Sequence, residues 1–536
     1  MINLARRKAV MERSIKLGHC VCNPKKPCPC DTFKEYNVCT CAGEKLPTKK
    51  GKIPLMQYVR NAGCTSKVGQ ADLKRILSKL PPLTDPNVLI GTAAGDDAGV
   101  YRLNDKYNLV QTVDVFTPCV DDAFLFGQIA AANSLSDVYA MGGKPLTALS
   151  IIGFPIDELD SEIMEEILIG GMEKLQEANC SLIGGHSIDD EEIKCGYAIT
   201  GLIETKNLKK RSNAKVGDTL VLTKPLGTGM ISFATQINRI NPELLDEVGK
   251  LMSTLNKDAA ELMIKYKANA CTDITGFGLM GHLIEMISGS GVSAEIDISQ
   301  IPVFAGVKIC LENEILPGAI ERNQEYSMAW VKVLDSSNEK NLAILYDPQT
   351  SGGLLISLPE KKAKSFVKEM HNAGHTNTSI IGRIIEKNKN KKESEVIIIN
   401  NRLENFTNKP QKNDLKKKDE IASCCSQASS ESAQEPCCAS PPSVNQKTKN
   451  QSKDLFMDFL KEVNKEGLID KRNKKFMAIA LSISRSCRQC LIIHLKSAIE
   501  MGISKEEIDE AAYLAIAFAG APAMMLYNDV CKELGI

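Results

Sequence analysis

The sequence has no charge excess of either sign: among its 536 residues, 66 Lys and Arg balance 66 Asp and Glu. That balance argues against a nucleic acid or a membrane as the main partner, local patches aside. The first twenty residues, MINLARRKAVMERSIKLGHC, lack the apolar core of a secretion signal, so a cytoplasmic location is expected. Long hydrophobic runs are also missing. The longest uncharged run, AAYLAIAFAGAPAMMLY (511–527), is interrupted by Gly520 and Pro522 and reads as a buried helix hairpin rather than a membrane span. There is no GxxxxGK[ST] loop, and no GxGxxG opens a helix after a strand, which excludes the commonest phosphate-binding designs. No internal repeat stands out.

Cysteine is abundant, with 19 residues unevenly placed: six in 20–41, four in 424–438 and three after 486. Without a secretion signal, such clusters suggest metal or redox chemistry rather than a disulfide scaffold. They help to divide the chain into four segments. Residues 1–50 form a cysteine-rich leader. Residues 51–402 alternate strand-like runs, such as NLVQTVDVF (108–116), TALSIIGFP (147–155), DTLVLTKPLG (218–227) and EVIIIN (395–400), with helix-like ones, such as 161–179 and 257–268. That pattern predicts mixed α and β structure. Residues 403–452 are charged, then rich in Ser, Gln and Pro, a composition expected of a disordered linker. Residues 453–536 carry helical apolar periodicity throughout.

In the central segment, aspartates recur beside small residues in GDDAGVY (95–101), TVDVF (112–116), NSLSDVYAMGG (133–143) and CTDITGFGLMGH (271–282). Carboxylates of Asp97, Asp114, Asp137 and Asp273 at strand ends could hold Mg²⁺ against a polyphosphate. Each taken singly is better explained as a helix cap or turn residue; four together weaken that reading. LIGGHSID (182–189) and DPQTSGGLLIS (347–357) join apolar runs to Gly-Gly, either as phosphate-cradling turns or as plain strand connections. NAGCTSKVG (61–69) places Cys64 and Lys67 in a polar stretch without periodicity. It reads as a mobile loop that keeps its thiol out of the core, with the lysine lowering the thiol pKa.

These motifs are collinear with those of the selenophosphate synthetase (selenide, water dikinase) family, which the chain resembles over about residues 55–390: NAGC, GDDAGVY, NSLSDVYAMGGKP, GGHSID, LTKPLGTG, TDITGFGLMGHL and DPQTSGGLL. The resemblance implies an α/β (α+β) two-domain core of the aminoimidazole ribonucleotide synthetase-like superfamily, about 51–215 and 216–402. It implies conversion of selenide, ATP and water to selenophosphate, AMP and phosphate. It also implies a catalytic Cys64 and Lys67, Mg²⁺ ligands Asp97, Asp137 and Asp273, and ATP contacts from Lys67, Asp96, Asp114, Asp137, Gly185, His186 and Ser187. A homodimer with ATP near the subunit interface is expected. Ser66 stands where many members carry a second cysteine. The rival readings are another kinase or synthetase of the superfamily, and a protein that stores or senses metal or selenium.

The C-terminal string SCRQCLIIH sets Cys487, Cys490 and His494 along one helix face. A CxxC pair with a nearby imidazole suits thiol–disulfide chemistry. The alternatives are half a zinc site, with Cys531 as the nearby further ligand, or plain core cysteines. The segment resembles the carboxymuconolactone decarboxylase / alkylhydroperoxidase D-like family, implying an all-α domain that assembles into higher oligomers. Lys475 stands where that family usually has a relay glutamate, which shifts the expectation from peroxidase toward thiol–disulfide exchange. In the leader, three CxC pairs (Cys20, Cys22, Cys28, Cys30, Cys39 and Cys41) suggest a site for zinc, copper(I) or an iron–sulfur cluster. The linker pairs Cys424–Cys425 and Cys437–Cys438 could shuttle thiol or selenium equivalents. A selenium-delivery or thiol-redox protein is a further expected partner.

Overall fold

A computed structural model describes residues 4–21, 26–44, 53–92, 96–334, 338–388, 391, 393–407, 465, 467, 469–484, 488–519 and 521–534. The chain divides into two compact units, residues 1–427 and 428–536. No described helix is long and apolar enough to cross a membrane.

The first unit contains two sheets. The first has six strands: β1 (Val88–Ile90), β2 (Gly99–Arg102), β3 (Tyr107–Phe116), β4 (Lys144–Phe154), β5 (Ser181–Asp189) and β6 (Lys194–Glu204). Their order is β1-β2-β3-β6-β4-β5. All neighbours are antiparallel except β4 and β5. The second has seven strands: β7 (Asp218–Leu222), β8 (Ala270–Asp273), β9 (Ser293–Asp297), β10 (Val331–Val333), β11 (Leu354–Pro359), β12 (Ser379–Ile385) and β13 (Val396–Asn400). Their order is β10-β13-β9-β12-β7-β11-β8. The runs at 108–116, 147–155 and 395–400 form strands as expected. The run at 218–227 ends as a strand at Leu222, and Pro225 beyond it supplies no ladder N–H. Residues 182–189, expected as a turn, lie within strand β5 instead.

The helix Ala123–Ala140 lies between the two sheets. Asp122 caps it by accepting from Leu125 N. It is apolar nearly all round, which marks a helix buried on every side. Glycine lets it approach the helix Ser161–Glu177: a Cβ on Gly127 would fall 1.8 Å from Ile167 O, and one on Gly170 would fall 2.0 Å from Phe124 O. The same helix carries Asn133, Ser136 and Asp137, so its packing positions part of the site. One continuous apolar cluster runs through both sheets and the helices between them. Polar ties across the same joint include Asn133 Oδ1 accepting from Ser351 N at 2.8 Å and Asn256 Nδ2 donating to Ser136 Oγ at 2.9 Å.

The leader forms helices Leu4–Leu17 and Asp31–Tyr36 around a small core of Val10, Cys39 and Ala42. Arg7 pairs with Glu44, which accepts from Cys39 N at 2.9 Å. Most of the 403–452 segment, with its four cysteines, lies outside the described residues. Its first part packs on the core, where Phe406 bridges Val303. The second unit is helical over Lys471–Ser484, Arg488–Glu500, Lys505–Ala519 and Ala521–Leu534. The last two helices pack on one another as the expected hairpin would, with Tyr527 donating to Asp509 Oδ1 at 2.6 Å and its ring meeting Tyr513. It is not buried on every side, since Leu514 is 66% exposed.

Candidate active site

Lys67 ends the turn that follows Cys64, and its Nζ lies 2.6 Å from Asp114 Oδ1 on β3. Asn133 Nδ2 donates to the other carboxylate oxygen of Asp114 at 2.5 Å. Asp137 accepts from Thr112 Oγ1. Asp97 Oδ1 accepts from Thr272 Oγ1 at 2.7 Å, linking the bend that leads into β2 with β8 of the second sheet. Asp273, the last residue of β8, is buried. The site is therefore built where the two sheets meet, with carboxylates supplied by both.

Its electrostatics follow from crowding. Burial, then repulsion from Asp273 and Asp96, pushes the Asp97 carboxyl well up. Burial, then Asp273, Asp114 and Asp97, does the same to Asp137. Burial raises Asp273 to about 6 despite hydrogen bonding from Ser136 and the nearby charges of Lys67 and Lys224. Burial also raises Asp96, against the opposing charge of Arg211. Burial alone would lower Lys67, but the charges of Cys64 and Asp114 outweigh it and leave the ammonium above its ordinary range.

Two buried carboxylate oxygens, Asp97 Oδ2 and Asp273 Oδ2, have no hydrogen-bond partner among the described residues. Unpartnered carboxylate oxygens that repel one another fit a hard divalent cation. Among the described residues no three side chains are already gathered in metal-binding geometry. That holds for the leader as well, although Cys20, Cys28, Cys30, Cys39 and Cys41 line one small cavity and Cys20 Sγ lies 3.0 Å from Cys41 Sγ. Cys22 lies outside the described residues.

The structure corrects the reading of Cys64. A mobile loop with an accessible, acidified thiol was expected. Cys64 is instead 1% exposed, and its N–H donates to Thr350 Oγ1 at 3.0 Å. Burial pushes the thiol up to about 11, and the charge of Lys67 only partly offsets this. The 347–353 segment is likewise committed to holding the site together, since Ser351 O accepts from Lys224 Nζ at 3.0 Å. Gly185, His186 and Ser187 are not brought to the aspartates. Their strand β5 is separated from β3 by β6 and β4, three strand spacings or roughly 14 Å.

Sequence reading missed several groups that shape the site. Lys224, in LTKPLGTG, is buried, donates to Thr254 O and Ser351 O, and is lowered by burial to about 7. Its place in a motif was a usable signal. Arg211, paired with Glu285 at 2.8 Å, lines a cavity of about 380 Å³ together with Asp96, Tyr326 and Trp330. It had no signal in the sequence. In the helical unit, His494 is half-buried with Nδ1 unpartnered among the described residues. Burial and the charge of Lys475 lower its pKa. Cys490 is disulfide-bonded, and Cys487 lies outside the described residues.

Comparison with known proteins places this geometry. Residues 95–203 match the AIR synthase related protein N-terminal domain, and residues 215–393 match the corresponding C-terminal domain. "Selenide, water dikinase 2" of Peptoclostridium acidaminophilum is 43% identical over 65% of this chain and 99% of its own length. "Selenide, water dikinase" of Geobacter metallireducens is 45% identical over 60% of this chain and 94% of its own. The chain belongs to the selenide, water dikinase family. The two-sheet unit is the family's two-domain AIR synthase-like core. Residues 451–530, outside that match, fit the carboxymuconolactone decarboxylase family, in keeping with the expected fusion.

Proposed function

We propose that the chain makes selenophosphate from selenide, ATP and water, releasing AMP and phosphate, at the site holding Cys64, Lys67, Asp97, Asp114, Asp137 and Asp273. The observation that carries this reading is the burial of a thiol, an ammonium and several carboxylates at one joint, in a chain of this family. Asp97, Asp137 and Asp273 would hold Mg²⁺, which supplies charge neutralisation for a triphosphate when bound. Lys67, already paired with Asp114, holds a positive charge where phosphate oxygens would gather. Asn133 and Thr112 fix the carboxylates of Asp114 and Asp137. The buried Cys64 thiol keeps its proton near neutral pH and can guide selenium in a water-poor setting.

Gly185, His186 and Ser187 lie on an exposed edge strand, and the same sheet exposes Val113, Leu149, Ile183 and Ile188. An apolar sheet face with a free edge fits a second copy of the chain. In a homodimer these residues would contact ATP held by the partner subunit, which answers their distance from the aspartates of their own chain.

The helical unit acts as a thiol–disulfide domain in this reading, supported by the disulfide-bonded Cys490 and the neutral His494 beside Lys475. Its exposed Leu481, Ile493 and Leu514 suit assembly beyond a dimer. The deciding experiment is anaerobic ATP turnover by the full chain, with and without selenide, followed by phosphorus NMR. Selenide-dependent AMP with a selenophosphate signal supports the assignment. ATP consumption without selenophosphate favours another synthetase of the superfamily, and no turnover favours storage or sensing.

A further inference from the structure

We propose that Cys119 is a second thiol of this site, which attacks a selenium-loaded Cys64 and releases selenide beside the aspartate cluster. This deepens the selenophosphate reading and rests on it for the fate of the selenide.

The loop itself offers no second thiol, because position 66 is serine. The fold supplies one from elsewhere. Gly63 N–H donates to Thr117 O and Pro118 O, each at 3.2 Å, and Gly63 bridges Thr117 in antiparallel fashion. Thr117 Oγ1 donates to Asn61 O at 2.5 Å, so segments 61–64 and 117–119 are clasped together. Gly63 has φ +58°, and a Cβ there would sit 3.0 Å from Cys119 Cβ and 2.5 Å from Thr350 Oγ1. Glycine is what lets Cys119 pack against the loop beside Cys64. Ser232 Oγ holds the Cys119 carbonyl at 3.0 Å. Both thiols are free and buried. Burial raises the Cys119 pKa, and the charge of Cys64 raises it further.

The chemistry requires two thiols. Selenium carried on sulfur as a perselenide, RS–SeH, sits two electrons above selenide. A first exchange moves it: RS–SeH and the Cys64 thiol give RSH and Cys64–S–SeH, one S–Se bond breaking as another forms. Cys119 sulfur then attacks Cys64 sulfur. An S–S bond forms, the S–Se bond breaks, and its electron pair leaves with selenium, which takes the Cys119 proton as hydrogen selenide. The selenium is reduced and the two thiols are oxidised to a disulfide. A dithiol reductant restores them by exchange.

The test uses the full chain, anaerobically and without ATP, mixed with one equivalent of glutathione perselenide and quenched with N-ethylmaleimide. Non-reducing peptide mapping should find residues 64 and 119 joined by a disulfide. In C119S and C119A, selenium should stay on Cys64 as a mass increment, and selenide release should be at least about tenfold slower than in the wild type. Wild-type chain without the 64–119 linkage overturns the proposal even if both variants misfold. So does a folded C119S that releases selenide as fast as wild type. Because ATP is absent, this readout stands or falls separately from the dikinase assignment.

Discussion

Lys67 and Asp114 form a close ion pair, Nζ to Oδ1 at 2.6 Å, with side chains 26% and 13% exposed. The pair joins the Cys64 turn to the central strand of the first sheet. Removing one partner leaves a largely buried charge uncompensated. K67M and D114N should each lose about 2–3 kcal/mol of stability, with the double variant losing less than the sum. Urea unfolding of the three variants checks this, and strict additivity would refute the coupling.

The Cys64 thiol carries a pKa of about 11, raised mainly by burial. In native protein its alkylation rate should climb with pH well past the ordinary thiol value of 9.0. In K67M the midpoint should move higher still, because the lysine charge that favours the thiolate is gone. The sign for stability follows. The unfolded chain loses this proton first, so stability falls as pH rises from about 9 toward 11. A native midpoint at or below 9 would contradict the burial argument.

The aspartate cluster should cost stability when no cation is present. Asp273 titrates near 6 in the fold against an ordinary 3.8, so its contribution is fully present below 3.8 and is lost as pH rises through 6. D273N should therefore raise the melting temperature of metal-free protein near pH 7 and abolish the further rise on adding Mg²⁺. Calorimetry with and without Mg²⁺ measures both effects. A variant that melts lower than wild type, yet still responds to Mg²⁺, would remove Asp273 from the cation site.

Ile183 on β5 is 63% exposed. If the first sheet pairs with a second copy, I183K places an unpaired charge in that interface and should shift the assembly to a smaller species, raising the KM for ATP. Sedimentation and turnover measured together test this. An unchanged mass would show that assembly does not use this face.

The two-sheet architecture was legible in the sequence to the extent that local pattern carries it. The apolar runs at 108–116 and 395–400 lie in β3 and β13, and the helix at 161–177 follows its periodicity, because one buried face suffices to define such an element. The run at 182–189 was misread because its Gly-Gly suggested a turn, whereas parallel pairing with β4 holds it extended.

By itself the sequence determined the order of motifs, the alternation of strand and helix, and the residue types that could serve a phosphoryl-transfer site. Tertiary structure alone decided which of those residues meet. Cys64 is buried because its backbone bonds Thr350, 286 positions away. Asp97 reaches Asp273 through Thr272, 175 positions away. Cys119 packs against the Cys64 turn because Gly63 has no side chain to hold it off. Periodicity reports which face of one element is apolar. Convergence of polar groups depends on how two sheets pack around a shared helix, and no local pattern encodes that.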